Sequence, residues 1–377
     1  MRMDRKLRFI TSSGGGAHSG TDQERLFGCE DVPSGHERRL ASAKAGQQRQ
    51  LGKERGEHTV RKRAQDQVRP LERTRNVFMK ADSPIVAKVP HLNGDYLPES
   101  VETAIDLLGG LDPAIQRGDR VMLKPNFNVY SIPLSTDLAF LSAVIEILQE
   151  AGAHVVVGEL TGRANWPTAH VVERMGVLKC LKRYGVPFVD FEHDEWLELR
   201  IDGVRWETIH VPRSIYEAEK RVYLANMRCH STGRFTASLK LSVGWISPED
   251  REILHTPRTD VEFKIAELNL GWQPNLVLID GRRSTVTWHG RGEYVYPNII
   301  MASGDMVSAD AEAVKELRKF PQENGLGVPL QEMGQLKSAL ELGLGSLAYE
   351  VVAAEAHTCT EQKGLAPGEM ARLLKEG

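Results

Sequence analysis

Arg228, His230 and Lys240 fall in one short stretch, Asn226-Met227-Arg228-Cys229-His230-Ser231-Thr232-Gly233-Arg234-Phe235-Thr236-Ala237-Ser238-Leu239-Lys240, and Arg251 and His255 come shortly after it. Cationic side chains and imidazoles around a turn containing Gly233 are the parts of an anion pocket. An imidazole exchanges a proton near neutral pH, and cationic neighbours favour its neutral, basic form. The bland alternative is a histidine that only hydrogen-bonds its own loop. Cys229 beside His230 suggests a thiol–imidazole pair, but consecutive residues seldom face each other productively, which ranks that reading low.

Other polar groups stand directly after apolar runs. Lys124-Pro125-Asn126 follows Leu123, Glu159 follows 155–158, Asp280-Gly281 follows Ile279, and Ser303-Gly304-Asp305 follows Ala302. In open parallel sheets, ligands bind beyond the carboxyl ends of strands. The ammonium of Lys124 suits a phosphate or carboxylate, with Pro125 fixing the turn and Asn126 next to it. Asp280 and Asp305 have the chemistry of bases or metal ligands, but Asp305 precedes a helical segment and reads better as its cap. Asp310, inside that segment, reads as solvent-facing from the local pattern. The spacings of His230, His255 and His289 match no compact ligand motif, so no metal ligands are assigned. A metal held by His230, His255 and Asp280 stays a third reading. Gly290-Arg291-Gly292 is not a dinucleotide fingerprint.

The elements that must position these groups can be read from periodicity. The run 85–89 is strand-like, and 98–108 places Val101, Ala104, Ile105 and Leu108 on one helical face, stopped by Gly109-Gly110. A buried strand at 120–123, a helix from Leu138 to Ala151 and a strand at 154–158 make a βαβ unit, which implies parallel pairing. Residues 187–190 continue the sheet. Alternation in 197–201 and 204–210 around Asp202-Gly203 predicts a hairpin. Further strands are expected at 221–225, 276–279 and 298–302, and helices at 261–270 and 306–317. The fold class is therefore α/β: a mostly parallel sheet of βαβ units with helices on both faces and an inserted β-hairpin.

Charge divides the chain. Residues 1–78 hold 17 basic and 10 acidic residues, and the remainder holds 31 and 41. The first segment is rich in Gly, Ser, Gln and Arg without periodicity and reads as a disordered basic extension, with Met79 a candidate start. A nucleic-acid-binding arm centred on Arg61-Lys62-Arg63 is the functional alternative. Residues 79–345 form the α/β domain, and 346–377 a weakly helical tail. The acidic body argues against nucleic acid as main partner. No apolar run reaches the roughly 18–20 residues that span a bilayer, and the first 30 residues lack a secretory core. Cys29, Cys180, Cys229 and Cys359 are scattered, which suits free thiols in a cytoplasmic, reducing setting.

From about Glu99 to Leu317 the chain resembles the "domain of unknown function 362" family. The likeness rests on Leu107-Leu108-Gly109-Gly110 and on Gly118-Asp119-Arg120-Val121-Met122-Leu123-Lys124-Pro125-Asn126. It continues through His230, Thr232-Gly233, Thr236, Lys240, Gly244 and His255, then Asp280-Gly281, Gly290, Gly292, Asp305 and Ala309-Asp310-Ala311. The resemblance implies an α/β fold whose shared polar residues gather in one cleft. Some relatives carry a ferredoxin-type cysteine segment, which implies redox-linked pathways. This chain lacks one, so no iron–sulfur cluster is expected from its own cysteines. It also carries Asn226 and Arg228 where relatives usually have lysines, and Leu241 for a usual asparagine. Arg228 keeps the charge but does not deprotonate.

These readings combine into an expected enzyme for a small anionic substrate. Lys124, Asn126, Arg228, Gly233 and Lys240 would bind the anion, His230 or His255 would act as acid/base, and Asp280 would orient one of them. The alternative is a non-catalytic partner or assembly factor for a redox or metal-containing protein.

Overall fold

The computed structural model describes residues 67–355, apart from 93, 129–133, 162–166, 288–293 and 321–323. The proposed basic arm, the cysteines at 29 and 359, His289 and the Gly290-Arg291-Gly292 run lie outside the described residues.

In chain order the first strands are β1 (Ser83–Pro90), β2 (Arg120–Lys124), β3 (His154–Glu159), β4 (Phe188–Asp190), β5 (Trp196–Arg200) and β6 (Thr208–Pro212). They are followed by β7 (Lys220–Asn226), β8 (Arg228–His230), β9 (Arg234–Thr236), β10 (Leu276–Gly281), β11 (Ile299–Ser303) and β12 (Glu350–Ala353). The main helices are α1 (Leu97–Asp106), α2 (Leu138–Glu150), α3 (Thr168–Arg174), α4 (Val177–Tyr184) and α5 (Ser238–Leu241). After them come α6 (Pro248–Leu254), α7 (Val261–Leu268), α8 (Met306–Leu317) and α9 (Gly334–Glu341).

The central sheet runs β12-β1-β11-β10-β7-β2-β3-β4. From β10 to β4 every neighbouring pair is parallel, and β12 is parallel to β1. The βαβ unit β2–α2–β3 forms as its sequence requires. Asp137 caps α2 by accepting from Ala139 N at 2.8 Å, and Val121–Leu123 pair in register with Val155–Val157. Helix α1 ends where Gly109 and Gly110 take φ of +105° and +89°, a region open to residues without Cβ.

Both faces of the sheet are covered. Val121, Leu123, Val155, Val157, Leu276 and Leu278 point to one core with α1 and α2. The alternate residues Met122, Tyr223, Val277 and Ile279 point to a second core with α7, α8 and the β5–β6 hairpin. The period of two along each strand thus produces the two apolar layers, the arrangement of parallel sheets.

Several expectations change. Strand β11 runs antiparallel to both β10 and β1, so Ser303-Gly304-Asp305 emerges at the opposite rim from Glu159 and Asp280. The hairpin exists, with Leu197 opposite Val211, but its second strand starts at Thr208, because residues 201–207 form a wider turn in which Gly203 N donates to Trp206 O. Residues 350–353 are a strand on β1 and not part of a helical tail. Upstream of Met79, Gln67–Val68 pair with β5, Arg73 donates to the carbonyls of Leu342 and Gly343, and Phe78 is buried. The folded body therefore reaches at least to Gln67 on its N-terminal side.

Candidate functional site

Parallel pairing brings the carboxyl ends of β3, β2, β7 and β10 to one rim, carrying Glu159, Lys124, Asn226 and Asp280. Lys124 is fully buried. Its Nζ lies 2.6 Å from Glu159 Oε1 and donates to Pro125 O at 2.7 Å. Glu159 also accepts from the backbone N–H groups of Phe127 (2.8 Å) and Leu160 (2.7 Å). Burial pulls the Lys124 amine below its ordinary range, the Glu159 charge opposes that shift, and Arg251 adds to it. Lys124 is thus committed to an internal pair.

The stretch 226–240 folds as a tight ribbon, β8 against β9, with Arg228 opposite Thr236 and His230 opposite Arg234. At its turn the His230 ring is held by its own loop: Nδ1 accepts from Thr232 N (3.2 Å), Thr232 Oγ1 (3.2 Å) and Gly233 N (3.1 Å). An imidazole nitrogen that accepts backbone N–H groups carries no proton, so the proton sits on Nε2. The charge of Lys240, then burial, then the charges of Arg228 and His255 hold this imidazole far below the usual range. His230 is therefore a neutral hydrogen-bond donor, which narrows the acid/base role expected for it.

Lys240 sits in α5, which opens directly after β9. A carboxylate from a distant part of the chain caps this short helix: Asp310 accepts from Ser238 N (2.7 Å), Ser238 Oγ (2.5 Å) and Leu239 N (3.0 Å). Asp310 is wholly buried, not solvent-facing, because α8 is covered along nearly all its length. Burial raises its carboxyl to about 7. Asp305 caps α8 through Ser308 N at 2.8 Å, as its position predicted.

The Lys240 stem passes Gly233, where an added Cβ would lie 3.5 Å from Cδ. The side chain is largely enclosed, keeps some access to solvent, and its ammonium has no hydrogen bond or ion pair among the described residues. Burial, with Arg228 and Arg251 alongside, lowers the amine to about 7.

Arg251, on α6, joins the two halves. Its Nη2 donates to Leu160 O at 2.7 Å, next to Glu159, while its charge acts on both Lys124 and Lys240. Burial lowers its guanidinium to about 10, opposed by Glu159 and Glu192. Arg251 Nε is buried without a partner, as are Asn226 Oδ1, Thr236 Oγ1 and Gln335 Oε1 among the described residues. Buried polar atoms are normally satisfied, and groups of exceptions mark places that a ligand or water completes. The sequence reading mentioned Arg251 only in passing; its sole signal was closeness to the Arg228–Lys240 stretch.

His255 lies at the end of α6, exposed, with Nδ1 donating to Arg251 O at 2.7 Å. That bond occupies Nδ1 and leaves Nε2 as the nitrogen through which the ring could exchange a proton. Asp280 does not meet either histidine. It is held by Arg282 at 2.8 and 2.9 Å, and Arg282 also reaches Asp137 at 3.2 Å. Asn126 ties its own loop together through Leu134 O and Thr136 Oγ1, both at 2.9 Å. Cys229 is fully buried, which pushes its thiol to about 12 and suits an inert core residue.

His230, His255 and Asp280 form no three-ligand group among the described residues. The group that does form there is Asp190, Glu192 and His193 at the end of β4, whose ligand atoms lie within 4.8 Å of one another. Glu192 is already engaged by Thr168 N and Oγ1, at 3.1 and 3.0 Å.

The model of the family "Domain of unknown function (DUF362)" matches residues 121–315, more than half of the chain. The chain belongs to this family. The match begins inside β2 and ends inside α8, so it includes Lys124, Glu159, Arg228, His230, Lys240, Arg251, His255 and Asp310. This DUF362 chain is 22% identical over 253 residues to "Thylakoid-associated protein sll1697" of Synechocystis sp., covering 64% of this chain and 77% of that one. Among solved structures it is similar to the lactate racemase apoprotein from Thermoanaerobacterium thermosaccharolyticum. The TM-score is 0.38 and the identity 13%, over 62% of this chain and 57% of that one. Such a likeness leaves the chemistry to be read from this chain's own residues. No helix among the described residues is long and apolar enough to cross a membrane.

Proposed function

We propose that this DUF362 chain is an enzyme that binds a small organic anion, a carboxylate or phosphate, at the rim between Arg228, Lys240 and Arg251. The Lys240 ammonium, enclosed and unpaired among the described residues, carries the reading. Lys124 is neutralised by Glu159, whereas the Lys240 ammonium has no bonded partner among the described residues and stands in the field of two guanidiniums. Like charges gathered in a partly desolvated site repel one another, so an anion among them is favoured. The orphaned donor at Arg251 Nε offers a further hydrogen bond. The Nε2–H of neutral His230 would donate to the substrate, and His255 would exchange the proton through its Nε2. The scattered cysteines suit a cytoplasmic, reducing compartment.

Calorimetric titration and thermal melting with phosphate, oxalate, pyruvate and acetate test the binding step. A ligand present at 100 times its Kd stabilises by about 2.7 kcal/mol, so at least one of these anions should raise the melting temperature. Arg251→Met and Lys240→Met should each weaken that anion at least tenfold. Wild-type protein that binds none of the four, or variants that bind as tightly as wild type, would overturn the proposal.

A further inference from the structure

We propose that Lys240 forms a covalent imine with the carbonyl carbon of a small 2-oxo acid, which makes it a nucleophile as well as an anion contact. The inference rests on the anion-binding reading above and names the substrate class within it.

The argument starts from what surrounds the amine. Arg228 on β8 and Arg251 on α6 act on it directly, and neutral His230 stands across the same ribbon turn. Asp310 of α8, which meets the start of α5, is turned onto the backbone N–H groups of Ser238 and Leu239 and makes no bond to the amine. A lysine that serves structure is normally tied to carbonyls or carboxylates. Lys264, for example, donates to Ile253 O at 2.8 Å and Thr256 O at 2.6 Å, and Lys124 is paired with Glu159. Lys240 has neither kind of partner among the described residues, although its helix is pinned by Asp310 and its stem lies against Gly233.

A desolvated amine beside other cations keeps a neutral fraction at neutral pH and is nucleophilic there. Burial and the two guanidiniums lower this one to about 7. The flanking guanidiniums suit a planar carboxylate, which they bind in a fork. A carboxylate held in this way next to the amine brings an adjacent carbonyl carbon within its reach. A phosphate or simple carboxylate would meet the amine only as a charge and leave its nucleophilicity unused.

The step balances without a further reactant. The Nζ lone pair adds to the carbonyl carbon, and the carbonyl π pair moves to oxygen. Both amine protons end on that oxygen, which leaves as water. A proton from solvent then gives the iminium. The Nε2–H of His230 would stabilise the developing alkoxide as a donor.

The test traps the iminium on wild-type protein. Pyruvate, glyoxylate and 2-oxoglutarate are each incubated with the protein and sodium cyanoborohydride, followed by intact-mass and peptide analysis. For at least one probe the expected product is a single adduct, the mass of the oxo acid less one water plus two hydrogens, on Lys240 at tenfold or greater excess over any other lysine. Oxalate, which offers two carboxylates and no ketone, should suppress the label. Lys240→Arg, checked for a native melting transition, should not be labelled. No adduct with any probe, or labelling spread over surface lysines, overturns the imine. Binding of oxalate or another of the four anions in calorimetry would in that case still leave the anion site standing, and binding of none of them would remove both.

Discussion

Lys124 Nζ and Glu159 Oε1 lie 2.6 Å apart, with side-chain exposures of 1% and 3%, and this pair ties the ends of neighbouring strands β2 and β3. A buried pair of this kind contributes little over an apolar replacement, but a buried charge left alone is costly.

Glu159→Gln should therefore destabilise the protein by about 3–5 kcal/mol, because the ammonium loses its counter-charge. The double variant Lys124→Met/Glu159→Leu should recover most of that loss. Chemical denaturation of the three proteins measures it. A single-variant cost below about 1 kcal/mol, the range of exposed pairs, would show that the pair is not buried in solution.

Gly244 presses on the same pair: a Cβ there would fall 2.4 Å from Lys124 Nζ and 2.8 Å from Glu159 Oε1. Gly244→Ala should cost about 1–3 kcal/mol by overpacking. Gly327→Ala is the control, since its Cβ would meet nothing within 4 Å. Equal melting temperatures for the two variants would contradict the packing described here.

Stability should depend on pH through Lys240. In the folded protein its amine titrates near 7, against 10.5 for the unfolded chain. Between these values the unfolded state binds more protons, so stability rises with pH across that window. Asp310 acts with the opposite sign and lower down. Its carboxyl is raised from 3.8 to about 7, so stability falls as pH rises through that interval. Lys124, whose amine is also lowered, adds to the rise above pH 7, so the slope should shrink without vanishing in Lys240→Met. Melting curves from pH 7 to 9 with the same slope in both proteins would contradict the lowered amine.

His230 should stay neutral with its proton on Nε2 across pH 5.5–8. Nitrogen NMR of labelled protein reads the tautomer directly. A doubly protonated ring at pH 6 would remove the reading of Nδ1 as an acceptor from Thr232 and Gly233.

Local pattern carried much of the fold. Continuous apolar runs at 121–123, 155–157 and 276–279 specified buried strands, and helical spacing from Leu138 specified the crossover that makes the first two parallel. Helix α8 and its Asp305 cap were legible for the same reason: capping and periodicity are properties of neighbouring residues. The direction of β11, the pairing of β12 with β1 and the hold of Arg73 on the carbonyls of Leu342 and Gly343 depend on partners far along the chain. No local pattern encodes these.

The site divides along the same line. The cationic, imidazole-bearing stretch 226–240 and its neighbours Arg251 and His255 were visible as residue types at short spacing. Their roles were not, because a titratable group takes its role from its neighbours in space. Folding pairs Lys124 with Glu159, turns Asp280 to Arg282, fixes the His230 tautomer and buries Asp310 against the backbone of Ser238 and Leu239. The amino-acid order thus determined which charged groups follow the strands of the sheet. Only the tertiary structure decided which are neutralised there and which are left to meet a ligand, since burial and charge pairing are set by contacts between distant segments.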